Sequence, residues 1–247
     1  MYLEQAAYRV RFERGERGLR AVAGGAGVIV IVDVLSFSTA VDIAVTAGAA
    51  VLPTSQVADG HALAERYGAL LAVPRADVSE STPYTLSPDS LAGLPSGARL
   101  ILPSPNGATL VAIAREFGAM HVVAGCLRNA SAVAVFVRER ANAKPVAVIA
   151  AGERWADGSL RVALEDDLGA GAILSALNLN EASPEACYVA HGFSSERASL
   201  KGAIRSSVSG RELIDFGYPQ DVERAIEYDV SRAVPLAGDD GFITNAA

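Results

Sequence analysis

Short aliphatic runs alternate along this chain with Ala-rich stretches whose apolar positions recur at helical spacing. Val28–Val32, Ala50–Leu52, Leu70–Val73, Leu100–Leu102, His121–Ala124 and Val146–Ala150 are almost continuously apolar. That is the pattern of strands buried on both faces rather than on one. Thr39–Ala47, Val57–Tyr67, Ala108–Phe117 and Ala130–Arg140 predict helices between them, and Tyr8–Phe12 predicts an added edge strand. Regular strand–helix alternation predicts an α/β fold of three α/β/α layers, a mostly parallel sheet with helices on both faces. One domain is expected over residues 1–247. The rhythm breaks twice. Residues 76–95, rich in Ser, Thr, Pro and Asp, predict an active-site loop or lid. Residues 180–247 predict a helical tail packed on the same domain, with pieces at Ala186–Phe193, Leu200–Ser206 and Asp221–Val230.

Composition narrows the class. With 51% hydrophobic and 20% charged residues, the 247-residue chain has the balance of a folded globular protein. Its formal charge of −7 argues against a broad nucleic-acid surface, which requires a basic face. An anionic small molecule is still allowed, because one pocket can be locally basic or hold a metal. No apolar run approaches the roughly 18 residues of a membrane span, and the opening MYLEQAAYRVRFERGERG lacks the apolar core of a signal peptide. The expectation is a cytoplasmic protein with no membrane or nucleic-acid partner. Cys126 and Cys187, the only two cysteines, do not make a disulfide framework. A homodimer is the default assembly for such a chain.

In open α/β sheets ligands bind beyond the carboxyl ends of the strands, and polar residues gather after four strands here. Asp33 directly follows Val28–Val32, with Ser38 and Thr39 where the next helix begins. A helix N-terminus with free N–H groups suits a phosphate, and a carboxylate suits a hard cation such as Mg²⁺. The same hydroxyls equally read as helix caps. After Leu100–Leu102 come Ser104, Asn106 and Gly107, a stiff turn that projects polar groups at the same edge or simply caps a helix. After His121–Ala124 come Cys126, Arg128 and Asn129. The arginine spacing of a cysteine phosphatase is missing there, and Arg128 can pair with a ligand acid or sit in solvent. After Val146–Ala150 come Glu153, Arg154 and Asp157, followed by Arg161 and by Glu165, Asp166 and Asp167 on one predicted helix. Neighbouring helical residues point about 100° apart, so only one or two of those three acids are expected to face the site. The small residues Gly169-Ala170-Gly171-Ala172 imply close helix packing.

Other motifs drop out. The Gly-rich stretch at 23–27 precedes its strand, whereas a dinucleotide fingerprint follows one. The three histidines lack zinc-ligand spacing, and His191 alone is a candidate acid or base.

Taken together, these residues resemble the 2-phosphosulfolactate phosphatase family. The resemblance runs from Asp33 to the carboxyl tail. It is carried by GERWADGSLRVALEDDLGAGAI at 152–173, SPNG at 104–107, NASAVA at 129–134, SGREL at 209–213 and DVERA at 221–225. It implies a family-specific α/β/α fold and Mg²⁺-dependent hydrolysis of a phosphate monoester of a small 2-hydroxy acid. The implied catalytic residues are Asp33, Glu153 and Asp166, and the implied metal ligands are Asp33, Glu153 and one of Glu165 or Asp166. Ser38, Thr39, Ser104, Asn106, Gly107 and Asn129 would cradle phosphate. Arg128, Arg154 and Arg161 would meet the carboxylate or sulfonate. Two departures bear on the substrate more than on the fold. Ser36 stands where the family pattern carries arginine, and residues 74–88 retain little beyond Ser87-Pro88.

Overall fold

The computed structural model describes residues 2–247. In chain order the elements are β1 (Val10–Arg14), α1 (Gly15–Val22), β2 (Val28–Val32), α2 (Phe37–Thr46), β3 (Ala50–Thr54), α3 (Val57–Tyr67), β4 (Leu70–Leu71), α4 (Pro88–Leu91) and β5 (Arg99–Pro103). Next come α5 (Gly107–Glu116), β6 (His121–Gly125), α6 (Ala130–Arg140), β7 (Val146–Ala150), a small hairpin of β8 (Glu153–Arg154) and β9 (Leu160–Arg161), and α7 (Leu164–Ser175). The chain closes with α8 (Pro184–Glu196), α9 (Leu200–Ser206), α10 (Val208–Asp215), α11 (Pro219–Ala225), β10 (Pro235–Ala237) and β11 (Ile243–Asn245).

Nine strands form one sheet in the order β1-β7-β2-β6-β10-β11-β3-β5-β4. The pairs β1–β7, β7–β2, β2–β6, β3–β5 and β5–β4 are parallel, and only the three joints made by β10 and β11 are antiparallel. The sheet is therefore mostly parallel, and helices cover both of its faces. Side chains of a strand alternate between faces, and β2 shows the consequence. Val28, Val30 and Val32 pack with α6, α7 and α8, while Ile29 and Ile31 pack with α1, α2 and α5. A strand sandwiched in this way has no polar positions, as its sequence shows. Helix α2 is buried at nine of its ten residues, because the sheet, α4 and α5 surround it. The close packing implied by the small residues of α7 is present: a Cβ on Gly171 would lie 2.5 Å from the Val189 carbonyl oxygen of α8.

The tail differs from expectation in its last part. Residues 184–225 are helical, but β10 and β11 form a hairpin in the middle of the sheet, bridging β6 to β3. Three-residue strands are too short to show a period of two, and their pairing partners lie more than a hundred residues upstream. The helix expected over Asp221–Val230 starts at Pro219 and ends at Ala225, after which the Asp229 N–H donates to the Leu127 carbonyl instead. Three helices escaped the pattern altogether, α1, the single turn α4 and α10.

Segment 76–95 is largely irregular, as expected, but it is pinned down. Buried Asp221 of α11 accepts hydrogen bonds from Ser87 and from Arg75 (2.6 Å), and Arg224 reaches Asp89 at 3.1 Å. Among the described residues, no helix is long and apolar enough to cross a membrane.

Register decides what stands at the carboxyl edge of the sheet. Arg14, Ala150, Val32 and Gly125 are partners across β1, β7, β2 and β6, so four carboxyl ends fall in one row. Asp33, Gly152, Cys126 and the start of α1 leave the sheet from that row. The loop after β5 closes on the same edge, since α5 crosses to pack on β2 as well as β3.

Candidate active site

Asp33 sits in the turn between β2 and α2, where its Oδ1 accepts the Phe37 N–H (3.1 Å) and its Oδ2 accepts the Gly107 N–H (3.0 Å). Gly107 is required there: a Cβ would lie 2.8 Å from Asp33 Oδ2 and 2.2 Å from the Phe37 ring. Asp166, in the first turn of α7, does the same for the β2 end and a further strand end, that of β7. Its Oδ1 accepts the Val34 N–H (2.7 Å) and its Oδ2 the Gly152 N–H (2.8 Å), stapling the β2 and β7 loops together. Glu165 beside it is 2% exposed and accepts a hydrogen bond from the Ser207 hydroxyl at 3.2 Å. Glu153, at the start of β8, accepts from the Asn106 amide at 2.9 Å.

These acids feel one another. Burial, then the charge of Glu153, pushes the Asp33 carboxyl up to about 7, with Glu165 adding to the effect and two backbone donors opposing it. Asp166 is held well above the usual carboxylate range, first by burial and then by the charges of Asp33 and Glu165. Glu153 is raised mainly by burial, with Asn106 and Arg161 acting in the other direction. The arrangement contains a conflict. Every oxygen of Asp33 and Asp166 receives an N–H, which favours the ionised form, while burial and mutual repulsion favour the protonated one. A divalent cation would resolve that conflict, and an all-oxygen donor set suits a hard ion. Among the described residues, however, no three acidic, His or Cys side chains are drawn together tightly enough to hold an ion directly. An ion held there would have to keep waters between itself and some of the carboxylates, as Mg²⁺ can.

Sequence reasoning expected one or two of the three α7 acids to face the site. Glu165 and Asp166 are both buried, despite pointing apart on the helix, and Asp166 feels the charges of Asp33 and Glu165, but neither lines the cavity described below. Asp167 turns away into a two-pronged pair with Arg14, 2.8 Å for each bond.

Several expected ligand groups are used by the fold itself. Ser38 and Thr39 are fully buried. Ser38 donates to the Ile31 carbonyl and accepts the Asp33 N–H, and Thr39 donates to the Val34 carbonyl. They shape the Asp33 turn and cap nothing. Ser104 is buried, with its N–H on the Thr54 carbonyl. Asn129 is buried and holds the Cys126 N–H at 2.9 Å. Arg128 is spent on Asp42 (2.9 Å) and Glu227, which leaves it to lock α2 against the C-terminal segment. Arg161 lies against Ser209 (3.3 Å) and Glu212 (3.6 Å) of α10, with its charge felt at Glu153. His191 is exposed on α8, outside the cavity described next.

Asn106, Gly152, Glu153 and Arg154 border a cavity of about 400 Å³ between α1, α5 and the β8–β9 hairpin. Its other cationic walls are Arg14, Arg17 and Arg20, none of which the sequence reading singled out. Their spacing of three after an edge-strand pattern was the available signal, since residues three apart share a helix face. No residue of segment 76–95 lines this cavity.

The model of the 2-phosphosulpholactate phosphatase family matches residues 19–240. The chain belongs to that family. A curated relative from Methanothermobacter thermautotrophicus, named 2-phosphosulfolactate phosphatase, is 29% identical over 233 residues, covering 94% of this chain and 92% of its own. A relative from Thermotoga petrophila, named probable 2-phosphosulfolactate phosphatase, is 26% identical over 148 residues, 60% of each chain. The family match spans all four carboxylates and the cavity wall from Arg20 onward, but it begins after Arg14 and Arg17.

Proposed function

We propose that this protein hydrolyses the phosphate monoester of a small 2-hydroxy acid, (2R)-2-phospho-3-sulfolactate, to 3-sulfolactate and phosphate, with Mg²⁺ as cofactor. The observation that carries the reading is the convergence of Asp33 with Glu153, Glu165 and Asp166, from two distant parts of the chain, with Glu153 on the wall of a cavity that also carries arginines. The names of the relatives supply the substrate. Asp33, Glu153 and one of Glu165 or Asp166 would hold the metal, which when bound supplies positive charge to the phosphoryl oxygens. In the overall reaction water adds its oxygen to phosphorus, the ester P–O bond breaks, and the departing alkoxide takes a proton. The chain's own part is orientation. Backbone donors at Phe37, Gly107, Val34 and Gly152 lock Asp33 and Asp166 in place, and Asn106 sets Glu153 at the border of the cavity.

Phosphate release from the ester, measured with Mg²⁺ and again after chelation, tests the reading. Asp33→Asn should lower turnover at least about tenfold, the loss of roughly 1.4 kcal/mol of transition-state stabilisation, while the fold is kept. Wild-type turnover in that variant, or in the chelated enzyme, removes Asp33 or the metal from the reaction. A second reading keeps the chemistry and changes the acid. Ser36, where the family pattern carries arginine, favours another 2-phospho-hydroxycarboxylate such as phospholactate or phosphoglycolate. Comparing kcat/KM across esters with and without a sulfonate separates the two.

A further inference from the structure

The arginines around the cavity are not equivalent. Arg14 is neutralised by Asp167 through two bonds of 2.8 Å, and Arg20 lies between Glu16 (3.1 Å) and Glu116 (3.5 Å). Arg17 makes no hydrogen bond or ion pair among the described residues, and it is exposed to the cavity. Arg154 meets no carboxylate either. Its guanidinium touches only the Asn106 Oδ1 and the Gly158 carbonyl, each at 3.3 Å. Two guanidinium groups with no ion-pair partner among the described residues therefore line one cavity, whose wall also carries Glu16 and Glu153, in a chain whose formal charge is −7.

The cavity also reaches the acid group through Glu153. Asn106 donates to Glu153 through its amide nitrogen and accepts from Arg154 through its amide oxygen. One side chain thus joins an acid and a cation on the wall of the same cavity, and Asp33 and Glu165 act electrostatically on one another and on Glu153 behind that wall. A ligand spanning both would place its phosphoryl group at the acids and a second anionic group among the arginines. A planar guanidinium suits that second group, since its fork matches the oxygens of a carboxylate or sulfonate.

We propose that Arg17 and Arg154 form an anion clamp that reads the acidic tail of the substrate and sets the enzyme's preference for tailed over plain phosphate esters. The identity of the tail rests on the proposed phosphatase function; the clamp itself does not. Arg14 and Arg20, already paired, hold the cavity wall. The other two arginines that the sequence offered for this role, Arg128 and Arg161, are engaged with acids elsewhere.

Isothermal titration calorimetry with 3-sulfolactate, which carries the tail and no phosphate, tests the clamp without turnover. Arg17→Ala and Arg154→Ala should each weaken binding by about 30-fold, the range expected for losing hydrogen bonds to a charged group. Arg66→Ala, on α3 and outside the cavity, should change nothing. In turnover, the two cavity variants should lower kcat/KM for 2-phospho-3-sulfolactate by a similar factor and leave phenyl phosphate, which has no second anion, within about threefold. Arg17→Lys, which restores charge but not the fork, should recover part of the loss. Wild-type protein that fails to bind millimolar 3-sulfolactate overturns the clamp. So do cavity variants that bind it normally, or that slow both esters equally, which marks a structural role. Arginine-dependent binding in a protein that releases phosphate from no ester overturns the phosphatase reading and leaves the clamp standing.

Discussion

Gly107 is the position where one methyl group should do the most damage. It opens α5, donates its N–H to Asp33 at 3.0 Å, and packs against the fully buried Phe37. A Cβ there would stand 2.2 Å and 2.5 Å from two ring carbons of Phe37 and 2.8 Å from Asp33 Oδ2. Carbon atoms settle at about 3.5–4.0 Å, so the ring or the α5 terminus must retreat by more than about 1 Å. Overpacking of this kind costs about 1–3 kcal/mol, which in a chain of this size lowers the melting temperature by about 2–10 °C. The effect on chemistry should be larger than the effect on stability. The retreat pulls away one of the two donors that orient Asp33, and a displacement of about 1 Å in a reacting group can cost about 100-fold. Gly107→Ala, followed by thermal denaturation and by phosphate release, checks both numbers. Gly192→Ala on the open face of α8, where a Cβ meets nothing within 4 Å, is the control and should be neutral or slightly stabilising. Adding Phe37→Leu to Gly107→Ala should recover part of the stability by vacating the contested space. A Gly107→Ala protein that melts within about 1 °C of wild type and turns over within about twofold would refute the reasoning about overpacking and orientation.

The acids also set a pH dependence. Asp33 stands at about 7 in the folded protein against 3.8 when unperturbed, so between those values the folded state binds more protons than the unfolded one. Stability of the metal-free protein should therefore fall as pH rises from about 4 to 7, and Asp166 acts in the same direction. Melting curves in chelator across that range should slope downward, Asp33→Asn should flatten them, and a rising curve contradicts the account. Burial, with the charge of Asp42 nearby, pushes the Cys126 thiol up to about 12, so at pH 8 a disulfide reagent should label no more than one thiol, Cys187, until the protein is denatured. Rapid labelling of two thiols in the native protein would contradict the closed surroundings of Cys126.

Much of the fold was readable along the chain because local pattern and tertiary environment agree. The helices over Val57–Tyr67 and Ala130–Arg140 and the strands Val28–Val32 and Val146–Ala150 lie where hydrophobic periodicity puts them, since each is long enough to repeat its own period. Asp33 at a strand end, and Glu153 with the α7 acids at another, were likewise visible as residues. Their meeting was not. It depends on β1, β7, β2 and β6 aligning their carboxyl ends in register, a fact about pairing between segments far apart in sequence. The C-terminal hairpin, with three residues to each strand, has no period to read and exists because β6 and β3 offer it edges. Which arginine is free is likewise a tertiary matter. Arg128 and Arg17 look alike in sequence, yet one is consumed by Asp42 and Glu227 while the other faces an open cavity. A charged side chain has the same propensity wherever it stands, and only the partners brought within a few ångströms by the fold determine whether it is left to bind anything else.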